Sequence, residues 1–284
     1  MALGVFFFRR WGLERHLIHP GMVRRASETD SAEYATAEGN VYWCSTPSLL
    51  THGVVTQTPG TLVLYLHGGT DTVRSAPRLF RKLPPQNRDG NPIVIVAVEY
   101  PGYSSTSPPK SCSIDAAMAA AADVLEEARY LLPRYEIVIV GHAIGAALAC
   151  GLARRVPPKR LLLSSASMSV RELAADALVQ SATDLFRSAC ARRFCIDIGM
   201  TLVELAVPRA LLDSQEALSA RPHLECMFVH GADDAFAHVS HARQLHTARV
   251  AGSSLLVRPG ANADMELCDE TVAFCCGSHV QAHF

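Results

Sequence analysis

No two of the nine cysteines stand in a C-x-x-C pair, and His and Cys never gather at metal-ligand spacing. A zinc site is thereby disfavoured. An odd, unframed cysteine count points to a reducing compartment, the cytoplasm, and away from a disulfide-stapled secreted domain. Charge of one sign is also missing. Lys and Arg number 26 against 27 Asp and Glu, a net charge of −1 that gives no electrostatic case for nucleic acid as partner. Long apolar runs are absent at the N-terminus, where Met1–Phe8 falls far short of the ~20 residues a bilayer span needs. Arg9 and Arg10 follow that run and do not precede it, unlike a signal peptide. Gly4 is not at position two, so the myristoylation pattern is unmet. Phe6, Phe7, Phe8 and Trp11 beside Arg9, Arg10 and Arg15 suit weak membrane-surface contact by residues 1–15, or packing on the domain, which is the preferred reading.

What is present is enough for a core. Hydrophobic residues make up 49% and charged residues 19% of 284, which suits one large α/β domain or two small ones. Residues 1–35 read as a leader of uncertain structure and 36–284 as the folded domain. Compact β-branched and apolar runs at 61–66, 92–98, 136–140, 160–165, 224–229 and 254–258 predict buried strands, with a further strand near 39–44. Helices are predicted between them: 113–132 with Ser113 as cap and Pro133 as stop, one ending at Arg155, one over 236–247 and one near 270–276. Residues 167–222 break the alternation and read as helices (170–179, 182–192, 200–205), a cap-like insertion over the sheet. Strands alternating with helices predict a mostly parallel sheet with right-handed crossovers and ligands beyond the strands' C-terminal ends.

His67, Glu99, Ala143, Ser164 and His230 all fall at such ends. Around Ala143 the chain reads Gly141-His142-Ala143-Ile144-Gly145 between a strand and an Ala-rich helix. This matches a nucleophile elbow, G-x-S-x-G, with alanine where the nucleophile belongs. The glycines fit a strained turn in which a Cβ would strike a neighbouring element.

With His67-Gly68-Gly69, Glu99-Tyr-Pro-Gly-Tyr-Ser104, the elbow, His230-Gly-Ala-Asp-Asp234 and Gly260-Ala-Asn-Ala-Asp-Met-Glu-Leu267 in this order, the sequence resembles the α/β-hydrolase superfamily over residues 37–276. It looks most like the abhydrolase-domain serine hydrolases that include protein depalmitoylases. The resemblance implies oxyanion donors at the N–H groups of Gly69 and Ile144, and a triad acid at Asp234 in preference to Asp233. The bland alternative for Asp234 is a helix-capping carboxylate. The triad histidine would stand at Asn262 or Ala263, and neither can take a proton near neutral pH.

Acyl transfer needs a nucleophile, a base and an acid that orients it. Ser104, Ser105, Ser164 and Cys150 are poor rescue nucleophiles, and His67, His142, His230, His238, His241, His279 and His283 poor rescue bases. Loss of Ser or His alone costs up to ~10⁶ in turnover. Loss of both predicts a pseudoenzyme that binds an acyl- or ester-type ligand or a partner. The alternatives are a serine hydrolase of esterase, thioesterase or lipase type, inactivated by substitution or using substitute residues, and a purely structural or partner-binding domain. The depalmitoylases' N-terminal lipid-anchor cysteines have no counterpart before Cys44. No metal or organic cofactor is implied, and the oligomeric state is open.

Overall fold

The computed structural model describes residues 33–46, 55–69, 71–103, 113–169, 213–234, 237–249, 252–260 and 267–277, with isolated helical positions between 170 and 212. Its centre is an eight-stranded sheet: β1 (Glu33–Ala35), β2 (Val41–Cys44), β3 (Gly60–Leu66), β4 (Ile93–Val98), β5 (Tyr135–His142), β6 (Arg160–Ser164), β7 (Glu225–Gly231) and β8 (Ser253–Arg258). The spatial order is β1-β2-β4-β3-β5-β6-β7-β8. β1, β2 and β4 pair antiparallel, and every pair from β4 onward is parallel. The α/β-hydrolase fold expected from the sequence is therefore present. β1 has no counterpart among the sequence-predicted strands; it lies within the stretch read as a leader. It is only three residues long, too short for alternation to show.

Strands β3, β4 and β6 are buried along their whole length, as expected of parallel strands covered on both faces. One face carries Leu62, Leu64, Leu66, Leu161, Leu163 and Phe228 against α2 (Ile114–Leu131) and α3 (Ile144–Arg155). The other carries Val63, Tyr65, Val138, Val140 and Met227 against α1 (Ala76–Leu79) and α6 (Asp269–Cys275). Ser113 caps α2 by accepting from the Ala116 N–H at 3.1 Å. α4 (Ser214–Ser219) lies inside the predicted insertion and packs on α3. The helices expected at 170–179, 182–192 and 200–205 lie almost wholly outside the described residues. α5 (Val239–Thr247) begins later than the 236 expected. His238 stands before it in extended conformation and accepts from the Ser240 N–H, so the helix cannot start earlier. Among the described residues no helix is long and apolar enough to cross a membrane.

Candidate active site

β5 delivers the elbow. Its pairing with β3 and β6 brings Gly141 against Leu66 and Leu163. A Cβ at Gly141 would run into the backbone of Gly145 and Ala146, and one at Gly145 into the carbonyls of Leu66 and His67. The chain can therefore turn into α3 only with glycine at both positions. Ala143 absorbs the turn at φ 51°, ψ −116°, one of two non-glycine residues with positive φ among the described residues. Its N–H donates to Ser164 O at 2.9 Å, and its carbonyl accepts from the Ala146 N–H at 2.9 Å. The backbone is strained at this turn; the side chain is a methyl group, with no lone pair to attack a carbonyl.

The two N–H groups that the resemblance implies as donors belong to Ile144 and Gly69. Ile144 is the first residue of α3, so its N–H has no acceptor within the helix. The preceding loop is fixed by its own polar groups. The Gly68 carbonyl accepts from the Asp71 N–H at 3.2 Å and faces His67 Nδ1 at 2.7 Å. In a trans peptide the N–H points opposite the carbonyl, so this sets the Gly69 N–H direction. Tyr103 donates its hydroxyl to Gly69 O at 2.8 Å, and Tyr100 to His67 O at 2.8 Å. A Cβ at Gly68 would lie 3.7 Å from the Ala143 Cβ, so the two loops approach closely.

Beneath them lies a buried pair. His67 Nε2 is 3.1 Å from Glu99 Oε1, and the side chains are 0% and 3% exposed. Nδ1 faces a carbonyl and must carry a proton. The Nε2 contact then needs a second proton, held by the ring or by the carboxyl. The His67 ring stacks on Tyr100 at 4.0 Å and meets Tyr103 edge-on at 5.1 Å. Glu99, read in the sequence only as a changed loop acid, ties the end of β4 to the end of β3.

The acid side is built differently. Asp234 follows β7, two strands and about 10 Å across the sheet edge from Ala143. Its Oδ1 accepts from the Ala237 N–H at 3.1 Å, and its Oδ2 lies 3.8 Å from His230 Nε2. The contact closes a turn and does not cap the next helix, since Ala237 precedes α5 and His238 is that helix's cap; Asp234 stands at the strand end that the resemblance implies. Asp233 is used otherwise: its carboxylate accepts from the Gly260 N–H at 3.2 Å. Asn262 and Ala263, the positions implied for the base, lie outside the described residues, as do Ser104 and Ser105.

His230, His241 and His142 have structural partners. His230 donates from Nε2 to Ala237 O at 2.7 Å, so its lone pair is on Nδ1, which is buried and meets no partner. Burial lowers its pKa and keeps it neutral. His241 lies 3.4 Å from Glu172. His142 Nδ1 is 3.3 Å from Ser164 Oγ, a Ser–His contact that sequence order did not reveal. The pair arises because β5 and β6 put these two residues in register. Both are buried. Cys150 is buried in α3, and desolvation pushes its thiol to about 12, so it holds no thiolate near neutral pH. Among the described residues no three His, Cys, Asp or Glu side chains converge as metal ligands.

The family model of the alpha/beta hydrolase family matches residues 63–273, from within β3 to within α6. The chain belongs to the alpha/beta hydrolase family. Among solved structures it is similar to an esterase from Pyrococcus furiosus, at 11% identity and TM-score 0.54, over 86% of this chain and 90% of that one. It is also similar to a carboxyl esterase from Bacillus coagulans, at 12% identity and TM-score 0.52, over 81% and 90%. A third is an alpha/beta superfamily hydrolase from Oenococcus oeni, at 12% and 0.52, over 80% and 90%. At such identities the likeness concerns the fold. No curated protein matches the sequence.

Proposed function

We propose that this alpha/beta hydrolase family member is catalytically impaired and acts by binding a ligand of acyl ester or thioester type, or a partner. One observation carries the reading: Ala143 occupies the strained apex of the elbow, at φ 51° and ψ −116°, beside N–H donors suited to an oxyanion. Asn262 and Ala263 at the implied base position add to it, since neither titrates near neutral pH. The likeness of fold to esterases supports an acyl-type ligand, and the depalmitoylase-type resemblance of the motifs extends the proposal to thioesters. A second reading is favoured by the His142–Ser164 contact: an active hydrolase using substitute residues. Against it, Ser164 ends β6 at 1% exposure and does not itself occupy the apex of the tight turn.

Hydrolysis of p-nitrophenyl acyl esters, short and long, separates these. The wild-type chain is expected to be silent. Ala143→Ser combined with Asn262→His or Ala263→His is expected to turn over, and Asp234→Ala to abolish that turnover. Wild-type hydrolysis lost on Ser164→Ala would overturn the proposal in favour of the second reading. Silence of folded repaired variants would leave a structural or partner-binding domain.

A further inference from the structure

At the opposite edge of the sheet, the chain forms an open cleft of about 390 Å³. One wall is the turn from α3 into β6, Pro157-Pro158-Lys159; the other is the turn from α4 into β7, with Arg221, Pro222 and His223. The cleft is far from the elbow. β6 runs between the two edges, and its five residues span about 16 Å. The size suits a small organic ligand.

Its charge is one-sided. Lys159, Arg221 and His223 supply cationic or N–H donor groups, and no carboxylate lines the cleft. The neighbouring acids are engaged elsewhere or set aside. Glu216 pairs with Arg154 at 3.3 Å, Glu136 lies 3.8 Å from Arg160, and Glu225 opens β7 outside the lining. Among the described residues, Lys159 and His223 make no side-chain hydrogen bond or ion pair. Arg221 makes one bond, from Nη2 to Arg154 O at 3.0 Å, which orients its guanidinium and leaves further N–H groups available. A chain of net charge −1 has no bulk excess of cations to place here. Gathering like charges is unfavourable unless an anion offsets them.

The walls are held rigid. Arg249 donates to the carbonyls of Leu218, Arg221 and Pro222 at 3.3 Å each, and to Leu224 O. The prolines fix φ on both sides, and the Lys159 N–H is tied to Ile137 O at 2.7 Å. Preformed walls cut the ordering cost of binding. Arg is suited to bidentate contact with phosphate oxygens, and Lys to a point charge beside it. The prolines offer apolar surface to an organic group attached to such an anion.

We propose that this cleft binds a phosphate monoester, with Lys159, Arg221 and His223 holding the phosphate. The same chemistry is offered by a free phosphorylated metabolite and by a phosphorylated lipid headgroup. Two probes separate them: glycerol 3-phosphate in solution, and phosphatidylcholine vesicles with and without phosphatidylinositol 4-phosphate, all at matched ionic strength. Calorimetric titration or vesicle co-sedimentation of the full chain is expected to show saturable binding of one probe. Lys159→Gln and His223→Gln are expected to weaken it about tenfold each. Both residues are exposed, so their unliganded melting temperatures should match wild type, which keeps binding loss distinct from unfolding. Binding of neither probe overturns the proposal. So does binding that both variants leave unchanged.

Discussion

The nucleophile side and the acid side of the candidate site differ in how they are held. At the elbow, geometry follows from packing. Gly141 and Gly145 have no room for a Cβ, and the His67–Glu99 pair and the Tyr100 and Tyr103 hydroxyls fix the adjoining loop. At the end of β7 the polar groups hold one another. Asp234 takes the Ala237 N–H, Asp233 takes the Gly260 N–H, and β8 beyond them is only half-buried along its length. The difference teaches that the elbow's shape does not depend on the side chain at its apex. Its backbone is dictated by the contact of β3, β5 and α3, whether the apex carries a hydroxyl or a methyl.

Breaking the buried pair should have the largest effect. Glu99→Ala leaves His67 without its partner and is expected to cost about 3–5 kcal/mol, read by urea unfolding. Gly145→Ala drives a methyl into the Leu66 and His67 carbonyls and should cost about 3 kcal/mol or prevent folding. A cost under 1 kcal/mol there would show that the elbow relaxes and is not set by packing.

On the acid side, effects should be smaller. His230 is buried and neutral, with its pKa lowered in the fold. Below the ordinary His value of about 6.5 the unfolded chain binds a proton that the folded chain does not, so stability falls as pH falls, by at most about 1.4 kcal/mol per pH unit from this group. His230→Gln should flatten the urea-unfolding profile between about pH 6.5 and 5.5. Asp234→Ala removes the turn bond to the Ala237 N–H and should cost about 1 kcal/mol. The smallest effect carries the opposite sign. Ala143→Gly relieves positive-φ strain, partly offset by the freer unfolded chain, and should stabilise by about 0.5 kcal/mol, seen as a raised melting temperature. Destabilisation instead would mean that the alanine methyl packs favourably at the apex.

Most strands were legible because parallel strands buried on both faces read as unbroken apolar runs. α2 was legible because Ser113 and Pro133 bracket it. The start of α5 was not, since a histidine cap resembles any other polar residue. The role of Glu99 was hidden for a different reason. It lies 32 residues from His67, and only the β3–β4 pairing brings them together.

The sequence by itself determined the α/β alternation, the order of the motifs and the alanine at the elbow, because these are local patterns of residue type. The tertiary structure decided what each polar group at the strand ends does. It set Glu99 against His67, Ser164 against His142 and Asp234 against Ala237, and it joined two distant proline turns into one basic cleft. Those partnerships depend on strand register and crossover, which bring together residues that sequence spacing keeps apart.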